Sequence, residues 1–315
     1  TKSLLDFVLL QPQFQCVYLE SEKNKVKGSH MDDRNFQLIL NFFELSWPGY
    51  RRVRKGVKKR LARHMRECGC RSVSEYQELL GARPAAKETA ERLLTVSISR
   101  FFRDPEMWEA LEVCLASRWA EAEEQASIRP FRVWSAGCAC GEEIYSLKIL
   151  WMRLERQLPN IPPLLVWAGD VNPEVLEKAE EGVYRRSSVR NLSADTLEEA
   201  FTATSKKFTV RAFLKKGICW LQHDFMSDPP PTSDVDLIFL RNNLLTYYLP
   251  SVMLLAFSRI LAALRTGGLL VVGLNEAVPH GGWPLDPRPE HPCILEKITD
   301  SRQSEAVSRE DVASA

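Results

Sequence analysis

Cysteine, glycine and glutamate crowd one short stretch of the 315-residue chain, VWSAGCACGEEIYSL at 133–147. Cys138 and Cys140 beside Glu142 and Glu143 leave three chemistries open: a metal-binding turn, a catalytic thiol, or a glycine loop that holds a nucleotide-like cofactor. Zinc knuckles space their paired cysteines by two residues, and neither Cys138/Cys140 nor the other close pair, Cys68/Cys70, has that gap. No metal is therefore expected. The eight cysteines (16, 68, 70, 114, 138, 140, 219, 293) are few for this length and read as reduced, mostly structural thiols.

Gly137 and Gly141 fall where an apolar run, FRVWSAG, gives way to an amphipathic one, GEEIYSLKILWMRLERQL. At a strand-to-helix turn of this kind, backbone amides and the positive helix end meet an anionic or polar ligand. Glycine lets that ligand approach the backbone, although tight packing alone also accounts for such turns. The loop lacks the full G-x-G-x-x-G and has no Lys-Ser/Thr pair, which argues against dinucleotide oxidoreductases and P-loop enzymes. Asp170 ends the next strand, LLVWAGD, where a carboxylate can accept hydrogen bonds from two ribose hydroxyls. Asn172 before Pro173 fits the helix N-cap better than Asp170 does, which leaves Asp170 for a ligand. Asp224 closes a third run, CWLQHD, within reach of an adenine amino group.

The elements that must position these residues follow from periodicity. From Asp32 to about Ala85 the pattern is helical, and Val53, Val57, Leu61 and Met65 form a narrow apolar stripe on a charged helix. Nine of the sixteen residues from Arg51 to Arg66 are Lys or Arg, a run that serves either as a solvated face or as a docking surface for an acidic partner. After Pro130, β-branched runs alternate with amphipathic helices, the pattern of a parallel sheet with crossover helices. Further strands are expected at VDLIFLRN and GLLVVGLN, helices at PEVLEKAEEG and PSVMLLAFSRILAALRTG, and a final edge strand at CILEKI. The stretch between Gly182 and Gly217 fits no plain crossover and reads as a small inserted subdomain.

The expected organisation is a helical N-terminal domain at 31–95, a linker and cofactor-covering segment at 96–130, and an α/β domain at 131–299 with an insert at about 183–217. The polar residues 300–315 read as a flexible tail. GSHM at 28–31 reads as a cloning remnant with Met31 as the native start, so residues 1–30 are taken as a fused segment of no functional weight. A net charge of +1, with no apolar run near the ~18 residues of a membrane span, points to a cytoplasmic protein without a global pull towards nucleic acid. DPPP at 228–231 follows the third strand and lacks an aromatic, unlike the Asp-Pro-Pro-aromatic motif of nucleic acid amino-methylation.

Five blocks in order, TVSISRFFRDPEMWEAL, RVWSAGCACGEEIYSLKIL, AGDVNPEVLEKAEEGVY, VDLIFLRNNLLTYYLP and LRTGGLLVVGLNEAV, resemble the CheR-type chemotaxis receptor glutamate methyltransferases over roughly residues 35–298. The resemblance implies a class I methyltransferase (Rossmann-like) sheet with an all-helical N-terminal domain and an inserted β-subdomain. It implies S-adenosylmethionine as cofactor, S-adenosylhomocysteine as product, and methyl esterification of receptor glutamates. By the same resemblance Arg103, with Ser97 and Ser99, serves the methionine end and the reaction centre. Gly137, Gly141 and Glu143 hold the methionine portion, Asp170 the ribose, and Arg241 and Asn242 the surroundings of adenosine and sulfonium. Arg51, Arg54, Lys55, Lys58 and Arg63 become docking residues for an acidic helical receptor domain, met by a monomeric enzyme.

The chain departs from the family at Thr246, where a tyrosine is usual, with Tyr247 or Tyr248 as substitutes. Ser97 and Ser99 stand for Asn and Thr, and Ala139 and Cys140 for a Ser-Thr pair. These departures bear on the acceptor more than on the cofactor. They keep open a CheR-like methyltransferase for a non-chemotaxis protein or a small carboxylate, and a degenerate regulatory module that binds S-adenosylmethionine without catalysis.

Overall fold

The computed structural model describes residues 31–97, 99–120 and 129–299, so the readings of 1–30 as a fused segment and 300–315 as a tail lie outside the described residues. Five helical segments open the chain: α1 (Asp33–Phe42), α2 (Arg54–Glu67), α3 (Val73–Ala82), α4 (Pro84–Leu94) and α5 (Pro105–Ala120). Asp32 and Ser72 cap α1 and α3 by accepting from the amides of Asn35 and Glu75. Val57, Leu61 and Met65 of the apolar stripe are buried with Phe36, Ile39, Tyr50, Tyr76 and Leu80, which makes α1 to α4 a unit with its own core.

The second unit is built on β1 (Phe131–Ala136), α6 (Glu142–Gln157), β2 (Leu164–Asp170), α7 (Pro173–Glu181), β6 (Ile218–Gln222) and β7 (Val235–Leu240). It closes with α9 (Leu244–Tyr247), α10 (Pro250–Ala263), β8 (Leu264–Val272), β9 (Leu285–Arg288) and β10 (His291–Lys297). The sheet order is β6-β2-β1-β7-β8-β10-β9. The first five strands are parallel and β10 runs antiparallel to both neighbours, which is the class I methyltransferase arrangement. All six residues of β7 are buried, as a central strand covered on both faces requires.

Between α7 and β6 the chain forms β3 (Val183–Arg185), α8 (Ala194–Ala200), β4 (Phe201–Ala203) and β5 (Lys207–Val210). The three strands make a separate antiparallel sheet, β3-β5-β4, whose Tyr184 and Phe201, with Leu214 from the turn after β5, pack onto Tyr145, Ile149 and Met152 of α6.

Two expectations change. CILEKI lies in β10, but that strand is internal, and the edge is β9, a short segment whose LDPR sequence carries a proline. Proline is tolerated at an edge because its missing N–H removes no ladder bond there. The residues RTG close to Gly267 belong to β8 and not to the preceding helix, which ends at Ala263.

Candidate functional site

The C-terminal ends of β1, β2, β7 and β8, with the turn after β6, open on a cleft of about 1370 Å³ that also reaches the helical domain. In open α/β sheets ligands bind at this end. The volume exceeds the ~300–1000 Å³ of an ordinary small-molecule site, which leaves room for an acceptor side chain beside a cofactor.

Asp170 organises the first wall. One carboxylate oxygen accepts from Ala139 N at 3.0 Å and the other from Asn172 N at 3.0 Å. Each oxygen keeps a lone pair for a further donor. Asn172 caps α7 by accepting from Glu174 N, as expected. Burial raises the Asp170 pKa, and the two amides oppose the rise. The turn after β1 is held by Gly137 N and Cys138 N, which both donate to Gly169 O at 2.9 Å.

Gly137 has φ +96°, and a Cβ on it would lie 1.8 Å from Asn243 Nδ2, so glycine makes room for the Asn243 side chain. Asn243 Nδ2 donates to Ala136 O at 2.7 Å and ties the end of β7 to β1. Gly141 lies off the cleft: its missing Cβ faces Ala179, Trp220 and Tyr184, so its direct part is packing and helix entry. The two thiols are poor nucleophiles, since burial pushes Cys138 up and takes Cys140 to about 11. Among the described residues no group of His, Cys, Asp and Glu is arranged to hold a metal.

The second wall is an ionic lattice. Arg241, only 4% exposed at its side chain, donates to Glu143 Oε2 at 3.1 Å and to Asp104 Oδ2 at 2.8 Å. It also donates to Arg103 O at 3.1 Å, so its role here is to clamp the segment that carries Arg103. Glu143 accepts on its other oxygen from Ser135 Oγ at 3.1 Å. Burial raises its pKa against the pull of Arg241. Phe101 is anchored in the core of the inserted subdomain, with its ring 4.9 Å from Tyr184 and 5.2 Å from Phe201. Phe102 and Asp104 have φ of +45° and +61°, a local strain that turns the chain about Arg103. Arg103 Nη2 then donates to Asn242 Oδ1 at 3.1 Å.

Glu276, at the turn after β8, escaped the sequence reading. Its Oε2 accepts from Asn242 N and Gly273 N, both at 2.7 Å, and its Oε1 accepts from Thr246 Oγ1 at 2.5 Å. An acid just beyond a parallel strand end was the available signal. Of the two tyrosines beside Thr246, Tyr247 lies in the fields of Arg103 and Glu276, whereas Tyr248 lies in those of Asp224, Glu91 and Asp170. Burial raises both phenols. Asp224 lines the cleft with its oxygens accepting from Met226 N at 2.9 Å and Ser227 Oγ at 3.1 Å. The prolines of DPPP brace this turn, with His223 Nε2 2.9 Å from Pro229 O.

The helical domain completes the cleft. Ser46 N donates to Tyr247 O at 2.7 Å, Leu249 N donates to Glu44 O at 2.9 Å, and Leu45 bridges Tyr248. Tyr50 packs its ring 5.0 Å from Tyr247 and donates its hydroxyl to Leu94 O. Ser97 and Ser99 line the cleft, as does Arg51. The five basic docking residues divide: Lys58 is buried on Asp33 at 2.7 Å and Arg54 sits 3.8 Å from the same carboxylate and over Trp47, so these two are spent within the domain. Arg51, Lys55 and Arg63 are exposed.

Comparison with known proteins adds to this geometry. The family described as CheR methyltransferase, SAM binding domain, matches residues 97–284. A chemotaxis protein methyltransferase of Listeria monocytogenes is 32% identical over 59% of this chain and 67% of its own length. That of Escherichia coli is 29% identical over 71% of this chain and 77% of its own. An uncharacterized 104.1 kDa protein of Rhodobacter capsulatus is 32% identical over 70% of this chain, which spans only 23% of that protein.

Proposed function

Because the chain belongs to the CheR methyltransferase family, whose matched domain binds S-adenosylmethionine, we propose that it methylates glutamate carboxylates of a chemoreceptor-like signalling protein to give methyl esters. Arg103 carries this reading. Its guanidinium is 36% exposed in the cleft and held on Asn242, placed to grip a carboxylate through two parallel hydrogen bonds.

Bound S-adenosylmethionine supplies an electrophilic methyl on its sulfonium. A glutamate with a reference pKa of about 4.3 is already ionised near neutral pH, so no general base is needed to activate it. The protein's task is alignment and exclusion of water. Arg103 orients the acceptor carboxylate, and Asp170 offers its two remaining lone pairs to the ribose hydroxyls. Asp224 faces the adenine edge, the Gly137 turn with Ser97, Ser99 and Glu143 surrounds the methionine portion, and Arg241 and Asn242 border the adenosine and sulfonium. The donor set fits the cofactor: a buried carboxylate at a strand end, an open turn after β1 and polar side chains after β7. On the acceptor side Tyr247 stands in for the missing aromatic at Thr246. Arg51, Lys55 and Arg63 receive an acidic helical segment, and the setting is cytoplasmic.

Labelled S-adenosylmethionine added to a lysate or to a purified chemoreceptor cytoplasmic domain tests the reading. Base-labile label mapped to glutamates is expected, with Arg103→Ala lowering kcat/KM by about a hundredfold. Label on nitrogen, or an Arg103→Ala protein as active as the parent, would sink it. The second reading, a different protein or a small carboxylate as acceptor, is favoured by Thr246, whose hydroxyl brings Glu276 to the wall where the family has a tyrosine. Binding of S-adenosylhomocysteine without transfer to any acceptor would favour a regulatory module instead.

A further inference from the structure

Two more arginines line the cleft near Arg103: Arg100, from the same segment, and Arg190, from the inserted subdomain. They come from distant parts of the chain and are brought together by one backbone bond, Phe101 N to Ser188 O at 3.0 Å. Neither forms a hydrogen bond or ion pair with another described residue, and Arg100 Nε is buried with no acceptor. No described acid of the cleft wall pairs with either arginine. Asp104 and Glu143 are taken by Arg241; Glu142 is buried behind Ser188, accepting its hydroxyl on Oε1 at 3.3 Å, while its Oε2 is buried without a hydrogen-bond partner. Ser99 and Ser187 add hydroxyls to the same wall. Arg100 is half-buried, so its guanidinium loses hydration without gaining a partner, a cost that a bound anion removes; Arg190 is exposed and adds its charge from the rim of the cleft.

We infer that Arg100 and Arg190, with Ser99 and Ser187, form a second carboxylate subsite beside Arg103, a proposal that rests on the methyl-transfer reading. Planar guanidiniums flanked by hydroxyl donors suit a carboxylate in two-point contact. Two sources supply that group next to the reaction centre: an acidic side chain adjacent to the methylated glutamate, or the α-carboxylate of the cofactor.

Calorimetry separates them. S-Adenosylhomocysteine is titrated into the parent protein and into Arg100→Gln and Arg190→Gln. Synthetic Glu-Glu and Glu-Gln peptides, otherwise identical, are then titrated with S-adenosylhomocysteine saturating. For an acceptor source, both variants bind the Glu-Glu peptide at least about tenfold more weakly, while the Glu-Gln peptide and S-adenosylhomocysteine are unchanged. For the cofactor source, S-adenosylhomocysteine affinity falls by about that factor and the peptides are not distinguished. Arg100→Lys and Arg190→Lys keep the charge but not the planar fork and restore only part of the loss, and matched melting temperatures show that the variants fold. Affinities all within about twofold of the parent overturn the subsite. Failure of the parent to bind S-adenosylhomocysteine counts against the methyl-transfer reading itself, and the peptide arm run without it still decides the subsite.

Discussion

Asp170 combines two demands that pull its pKa apart. Burial raises it, while the amides of Asn172 and Ala139 stabilise the ionised form. A carboxyl raised in the folded state binds its proton more readily folded than unfolded. Above the ordinary value of 3.8, the cofactor-free protein therefore loses stability as pH rises through the raised pKa. Cofactor affinity runs the other way, because only the ionised group accepts on both oxygens. S-Adenosylhomocysteine affinity is expected to climb as pH rises through the raised Asp170 pKa, with Asp170→Asn flattening the climb and costing about tenfold at neutral pH. Parallel profiles in the two proteins would remove Asp170 from the ribose. Glu143 is raised in the same direction, so the Asn variant is what isolates Asp170. At this scale the sequence singles out Asp170 by its place at a strand end, and Arg103 by the resemblance of its FFR block. Glu276 and Asn243 were not, since their importance lies in what they bond across the cleft.

At the scale of elements, the join between the helical domain and α9 is the sharpest feature. A Cβ at Gly49 would lie 2.1 Å from Thr246 O and 3.3 Å from Tyr247 Cα, so this glycine sets how closely α9 can seat. Gly49→Ala is expected to displace α9 and lower kcat by roughly 10- to 100-fold. S-Adenosylhomocysteine affinity should stay within about twofold, because the Asp170 wall is untouched. Steady-state methyl transfer and calorimetry on one preparation check the split; a loss of cofactor affinity equal to the loss of kcat would show that the join also holds the cofactor. Nothing in the sequence PGY reveals this contact. The caps at Asp32, Ser72 and Asn172, by contrast, act within three residues and could be read directly.

At the scale of the whole molecule, the basic run of α2 resolves into internal and external halves. Lys58 and Arg54 serve Asp33, while Arg51, Lys55 and Arg63 face outward. Lys55→Glu with Arg63→Glu is expected to raise the KM for a protein acceptor several-fold, more strongly at low salt, with kcat little changed. Lys58→Glu should instead lower the melting temperature, since it places like charges together at a buried position. Kinetics indifferent to the double reversal would return α2 to a solvated face. The net charge of +1 could not distinguish these cases, because the sum hides where the charges pair.

Periodicity and short-range chemistry by themselves determined the alternation of strands and helices, the helical N-terminal unit, the inserted subdomain and the strand-to-helix turn at Gly137, because each rests on contacts between near neighbours in sequence. Tertiary structure alone decided that CILEKI is internal, that Arg241 is a clamp, that Gly141 packs away from the cleft and that Glu276 ties Asn242 to Thr246. Those outcomes depend on pairings between side chains and strands far apart in the chain. A charged group's role is set by which opposite charge the fold brings to it, and sequence order does not contain that partner.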